Sequence, residues 1–136
     1  MKPYIHTVRY YECDRMGITH HSNYIRFMEE ARLDWMDQMG FGFERMEAEG
    51  VVSPVVEIAC RYKHPTTFKD AIRIEVSVIE LSAIKIRIAY NMYMGDTLVC
   101  SAESLHCFLE NGRPVRLQER FPDFYEALCR QLTEAK

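Results

Sequence analysis

Apolar residues recur at helical spacing from Tyr24 onward. Tyr24, Phe27, Met28, Ala31, Trp35, Met36 and Met39 form one stripe, with Arg26, Glu29, Glu30, Arg32 and Asp37 opposite it. Ser22 suits the N-cap, and Gly40 and Gly42 suit the stop. The stripe predicts a helix apolar and long enough to be the central packing element. Further on the period changes to two. Val56, Ile58, Cys60 and Tyr62 alternate with polar or small residues, and Ile72, Ile74, Val76 and Val78 resume the pattern after His64-Pro65-Thr66-Thr67. The clearest alternation runs through Ile84, Ile86, Ile88, Tyr90, Met92 and Met94. Gly95-Asp96 then predicts a hairpin into 97–109, and Asn111-Gly112 another turn. With residues 3–10 this makes at least five strands. Pro122 followed by Phe124, Leu128 and Leu132 predicts a short closing helix.

The order of strand, long helix, four strands and short helix points to an α+β fold, with a curved antiparallel sheet wrapped around one helix. No repeat or boundary divides the chain, so one domain is expected over 1–136. Composition agrees, since 136 residues with 48% hydrophobic and 27% charged are enough for one core. That balance excludes a disordered chain. No apolar run approaches the roughly 20 residues of a membrane span. The polar, alternating start lacks the apolar segment of a secretory signal, so a cytoplasmic protein is expected. Five cysteines, odd in number and without CxxC spacing, argue against a disulfide framework or zinc knuckle. A net charge of -3 supplies no global field for nucleic acid.

Chemistry concentrates between the first strand and the long helix, in Tyr10-Tyr11-Glu12-Cys13-Asp14-Arg15-Met16-Gly17-Ile18-Thr19-His20-His21. A helix N-terminus offers unpaired N–H groups and partial positive charge to a developing oxyanion. A carboxylate beside it can serve as nucleophile or general base, and Gly17 can bend the chain tightly and leave room for a substrate. Each residue alone has a plainer reading. Asp14 suits a turn, His20 and His21 suit a surface or a cap, and Glu12 suits a solvated strand end. His6 and His106 read as satisfied strand residues. Asp14, His20, His21 and His64 are suitable metal-ligand types, but no ligand spacing supports a metal site.

Tyr11-Glu12-Cys13-Asp14-Arg15-Met16-Gly17, then His21-Ser22-Asn23-Tyr24-Ile25-Arg26-Phe27 and Glu30-Ala31-Arg32, resembles the signature of hotdog-fold acyl-CoA thioesterases. The similarity is to the 4-hydroxybenzoyl-CoA thioesterase-like family, in its Tol-Pal-associated branch. Tyr62-Lys63-His64-Pro65, Asp70 and Gly112-Arg113-Pro114-Val115 extend it along the chain. The resemblance implies that Asp14 is the catalytic carboxylate and that His21 assists. It implies that a backbone N–H near position 21 polarises the thioester carbonyl. It also implies substrate contacts at Tyr24 and at Ser82, beside Gly17 and the cation candidate Lys63 read from their chemistry, although the place of Tyr24 on the apolar stripe favours packing. Arg15, Met16 and His20 depart from the smaller or more apolar residues of relatives.

Coenzyme A enters this reading as part of the substrate, with no separate cofactor. Its phosphates need cations, and Arg61, Lys63, Lys69, Arg73, Lys85 and Arg87 are the candidates. The expected function is hydrolysis of an acyl thioester to free acid and CoA, with acyl carrier protein as another donor. The competing reading is a non-hydrolytic acyl-CoA or acyl-carrier-protein binding module on the same fold. A hotdog dehydratase would centre on a different His and acid. A lone hotdog leaves a sheet edge and its groove uncovered, so a homodimer, paired into a homotetramer, is expected.

Overall fold

Helical periodicity before residue 40 and strand periodicity after residue 55 set the architecture. The computed structural model describes residues 1–134, so the last two residues of the domain expected over 1–136 lie outside the described residues. Strand β1 (Tyr4–Thr7) is followed by a 3-10 turn over Tyr10–Glu12 and by helix α1 (Asn23–Gln38). A short helix α2 (Phe43–Ala48) and strand β2 (Val51–Val52) lead into β3 (Val55–Tyr62). Then come β4 (Ala71–Leu81), β5 (Lys85–Met94) and β6 (Thr97–Cys107). The chain closes with β7 (Leu109–Glu110), β8 (Arg113–Pro114), α3 (Leu117–Arg120) and α4 (Pro122–Glu134).

The large sheet has the order β1-β4-β5-β6-β3, every pair antiparallel. Its inner face wraps α1. Phe27, Met28 and Ala31 are fully buried against Ile72, Ile74, Tyr90, Met92 and Cys100 from the strands. Each large side chain so buried contributes about 1.5–3 kcal/mol, which makes this contact the main stabilising one. Gly40, at φ +80, lets the chain leave α1 with a left-handed residue, as expected of the stop. Asn111 and Gly112 both have positive φ and turn β7 into β8, the geometry that an Asn-Gly pair favours.

Two expectations change. Ser22 does not cap α1 with its side chain, because its hydroxyl pairs with His20 Nδ1 at 2.8 Å. The order of elements also gains α2, α3 and a small sheet, β2-β7-β8. Strands of two residues are too short to show a period of two, so the alternation could not reveal them.

Candidate functional site

The loop from Cys13 to Thr19 is a closed hairpin. Cys13 and Thr19 form an isolated antiparallel bridge, Asp14 N–H donates to Ile18 C=O at 2.8 Å, and Gly17 N–H donates to Asp14 C=O at 3.0 Å. Gly17 sits at φ +80, a conformation that side chains with a Cβ disfavour. A Cβ there would meet nothing within 4 Å, so glycine is required for the bend, and open space lies beside it in any case. Thr67 Oγ1 donates to Gly17 C=O at 2.7 Å, tying the tip of the loop to the segment before β4.

Inside this hairpin the Asp14 carboxylate is half-buried. Its Oδ1 accepts the Met16 N–H at 2.8 Å, and Oδ2 has no hydrogen-bond partner among the described residues. The turn reading of Asp14 is therefore correct for one oxygen, and it orients the other. His20 N–H donates to Glu12 C=O at 2.8 Å, which brings the chain back to the start of α1. His21 is exposed there, its ring stacked on His20 at 4.3 Å between centroids. The His21 N–H and both its ring nitrogens have no partner among the described residues. The arrangement offers an oriented carboxylate, an open imidazole and an unpaired amide at a helix N-terminus. These are the parts needed to attack a carbonyl and stabilise the resulting oxyanion.

Buried side chains behind the loop hold it in place. Glu12 is buried, which corrects its reading as a solvated charge. Its Oε1 accepts the Arg9 N–H at 2.7 Å and pairs with His6 Nε2 at 2.9 Å, while His6 Nδ1 meets Glu30 Oε2 at 3.1 Å. Asn23 Nδ2 donates to Glu12 C=O at 2.8 Å. Nothing in the alternation marks Glu12 for burial, because its partner His6 meets it only across the turn.

Tyr24 is a core residue, 3% exposed, as its stripe position favoured. Its hydroxyl pairs with Thr66 Oγ1 at 2.9 Å, and burial pushes its phenol pKa up. In this chain Tyr24 therefore anchors the loop through Thr66, which also holds Thr19 at 2.6 Å between hydroxyls, and has no open surface for a substrate. Tyr62, which its alternation marks only as a strand residue, also meets this loop. Its hydroxyl donates to His21 C=O at 3.1 Å, and burial together with Cys60 pushes its pKa up to about 12.

Lys63 is exposed immediately after Tyr62, at the same end of β3 as His21. Ser82 lies elsewhere. Its hydroxyl accepts the Lys85 N–H at 3.1 Å in the β4–β5 turn. The length of β4 separates that turn from Asp70 and the loop, about 35 Å at roughly 3.3 Å per residue. Within one protomer the structure does not bring Ser82 to Asp14. Arg87 is engaged by Glu80, Glu57 and Glu103, and Arg73 by Glu75, so these two are the weakest candidates for phosphate.

Residues 8–132 match the family model described as Thioesterase-like superfamily. A Bacillus subtilis protein provisionally named an acyl-CoA thioesterase, YneP, is 32% identical over 123 residues, covering 88% of this chain and 89% of that protein. The 1,4-dihydroxy-2-naphthoyl-CoA hydrolase of Thermosynechococcus vestitus is 26% identical, covering 90% and 84%. Among solved structures, the DHNA-CoA thioesterase from Staphylococcus aureus superposes with a TM-score of 0.92 at 27% identity, covering 99% of this chain and 95% of that one.

Proposed function

The chain belongs to the thioesterase-like superfamily, has its hotdog fold and is a thioester hydrolase, and we propose that it hydrolyses acyl-CoA to a free acid and CoA at the Asp14–His21 loop. One observation carries the assignment of the site. The Asp14 carboxylate is oriented through Oδ1 with Oδ2 open, in a hairpin that ends at the unpaired His21 N–H. As general base, Oδ2 takes a proton from water while the water oxygen adds to the thioester carbonyl. As nucleophile, it adds to that carbonyl itself, departure of the thiolate leaves an acyl–Asp14 anhydride, and water then cleaves this anhydride to the free acid and the Asp14 carboxylate. In both routes the carbonyl oxygen becomes an oxyanion facing the His21 N–H. The C–S bond then breaks, and the thiolate leaves and takes up a proton. The exposed His21 ring is suited to assist that last transfer.

The Asp14-x-x-Gly17, His21-x-x-Tyr24 and Ala31-Arg32 pattern supports the 4-hydroxybenzoyl-CoA thioesterase-like, Tol-Pal-associated branch. The names of the relatives support CoA as the thiol. Lys63, next to the loop, is the proposed cation for CoA, and Ser82 is proposed to act toward a neighbouring subunit.

A homodimer formed through β3 is part of this proposal. That strand has β6 on one side only, and Val55, Val56, Ile58 and Tyr62 on it are all exposed. An open apolar edge of eight residues is an association surface. A two-fold axis would pair β3 with the partner's β3 antiparallel. Light scattering at micromolar concentration should then give a dimer, or a tetramer of paired dimers, and a stable monomer would overturn this assembly.

Asp14→Asn is the test of the site. It keeps the shape and the Met16 contact but removes the base, so thiol release from acyl-CoA should fall about 10²- to 10⁴-fold with the fold intact. Unchanged turnover would remove Asp14 from the reaction. Saturable acyl-CoA binding by the unmodified protein without any turnover would favour the non-hydrolytic module.

A further inference from the structure

Two buried histidines, His6 and His106, have partners of different kinds. His106 ends a run of hydrogen bonds from Arg32 through the Tyr90 hydroxyl and Ser104 Oγ, at 3.2, 2.6 and 2.7 Å. Burial, reinforced by Arg32, pushes its imidazole down to about 4, so it is neutral at neutral pH. His6 instead meets carboxylates at both ring nitrogens, Glu12 Oε1 at 2.9 Å from Nε2 and Glu30 Oε2 at 3.1 Å from Nδ1. An ionised carboxylate only accepts, so a proton on each ring nitrogen completes both bonds. The His6 side chain lies on the inner face of β1, with its ring against Phe27 at 4.0 Å between centroids. An apolar residue at this position would extend the core without burying polar atoms. Buried carboxylate–imidazole sets add little net stability over apolar packing. What this one adds is the position of the Asp14 hairpin.

The hairpin has two arms, and they are held differently. Arm 18–20 is tied outward through Thr19. Its N–H donates to Thr66 C=O at 2.8 Å, the two threonine hydroxyls meet at 2.6 Å, and Tyr24 on α1 reaches Thr66 Oγ1 at 2.9 Å. Arm 12–14 carries Asp14. Among the described residues its hydrogen bonds stay within 9–23 with one exception, Glu12 to His6. From β1, the other nitrogen of His6 reaches Glu30, about two turns into α1. The backbone C=O of Glu12 accepts the His20 N–H and Asn23 Nδ2, each at 2.8 Å, on either side of His21. The carboxylate that His6 holds thus belongs to the residue on which both the Asp14 arm and the His21 turn rest.

We infer that His6 is a positioning residue for the reaction, bridging Glu12 and Glu30 so that the Asp14 carboxylate and the His21 N–H keep the separation that one thioester carbonyl requires. The inference rests on the hydrolytic reading of the loop. Buried behind the hairpin, His6 touches no substrate and acts through Glu12. The carboxylate that attacks or activates water and the N–H that meets the oxyanion address the same carbonyl group, and displacing either by about 1 Å costs about 10²-fold. Tyr4 steadies the outer end of the bridge by donating its hydroxyl to Glu30 Oε2 at 3.1 Å. Burial, followed by Glu30, pushes the Tyr4 phenol up, so it stays a donor.

His6→Leu and Glu30→Leu test the bridge. The Glu30 side chain is 45% exposed, so Glu30→Leu cuts the outer end without stranding a buried charge, and the protein should fold with Tm within about 3 °C of the unmodified one. On acyl-CoA, kcat should fall about 10²-fold in His6→Leu and about 10-fold in Glu30→Leu, with KM within about two-fold in both, because neither residue binds substrate. The double variant should be no slower than His6→Leu, since both changes cut one bridge. Unchanged kcat in Glu30→Leu, a loss carried by KM, or losses that multiply in the double variant would overturn the inference.

Amide hydrogen exchange reads the bridge without turnover. The His20 N–H, bonded to Glu12 C=O, should exchange at least about 10-fold faster in Glu30→Leu, while β5 amides keep their rates. If the unmodified protein turns over no acyl-CoA but His20 responds in this way, the hydrolytic reading has failed and the bridge stands as the device that positions the loop. Without turnover and without that response, both have failed. If turnover is normal and Asp14→Asn abolishes it, while His6→Leu and Glu30→Leu change neither kcat nor exchange, the positioning inference has failed alone.

Discussion

Strands β5 and β3 carry the same alternation and have opposite burial. In β5, Ile86, Ile88, Tyr90 and Met92 are between 0% and 3% exposed, whereas in β3, Val56, Ile58 and Tyr62 are between 36% and 48% exposed. Strand β5 is paired with β4 and β6 and lies beneath α1, while β3 ends the sheet with one unpaired edge. Apolar alternation states what a strand can bury, and position in the sheet decides how much is buried. Where the two disagree, as in β3, the surplus apolar surface marks where something else must bind. His21 and Tyr62 meet at one end of this strand, so the strand that is least covered borders the loop that carries the proposed chemistry.

The strongest test of this contrast is a charge on the open edge. Ile58→Lys should leave β5 and the core intact by circular dichroism yet give a monomer by light scattering, with thiol release down by at least about 100-fold because the site loses its second half. Full activity in a monomeric variant would show that one protomer suffices. On the buried strand, Ile88→Ala should cost about 3 kcal/mol and lower Tm by roughly 10 °C in thermal denaturation. A loss under 1 kcal/mol would mean that β5 is not the packed centre.

His106 sharpens the comparison through pH. The folded protein holds this imidazole neutral down to about pH 4, whereas in the unfolded chain it takes a proton near its ordinary value of 6.5. Between these values the unfolded state binds more protons, so stability falls as pH drops through the window and levels off below it. The loss is roughly a few kcal/mol, and His106→Gln should flatten that part of the curve in urea titrations at stepped pH. A parallel pH dependence in both proteins would exclude His106 as its source. The smallest effect belongs to Ile58→Ala. On an uncovered face it should change stability by about 0.5 kcal/mol or less at low protein concentration, rising toward about 1 kcal/mol where the dimer forms. Independence of concentration would argue against burial of Ile58 by a second copy.

Much of this was legible in the chain. The stripe from Tyr24 to Met36 is buried in α1, the alternation of β4 and β5 is observed, β6 follows as a strand, and the Gly95-Asp96 and Asn111-Gly112 turns fall where expected. The loop carrying Asp14 and His21 was legible too, because its residue types gather within a few positions of a helix start. Helix α2, the β2-β7-β8 sheet and the burial of Glu12 were not. The elements are too short for a period, and Glu12 is buried only because His6 and the Arg9 N–H meet it after folding.

By itself the sequence determined which faces are apolar and which chemistry sits before α1, because side-chain period and residue type are local properties. Only the tertiary structure decided which apolar face stays uncovered, which carboxylate oxygen is open, and that Arg32, Tyr90, Ser104 and His106 form one hydrogen-bonded chain in a cavity. Those depend on contacts between residues up to 58 apart in number, from Arg32 to Tyr90, and such distances are closed only when the sheet wraps the helix.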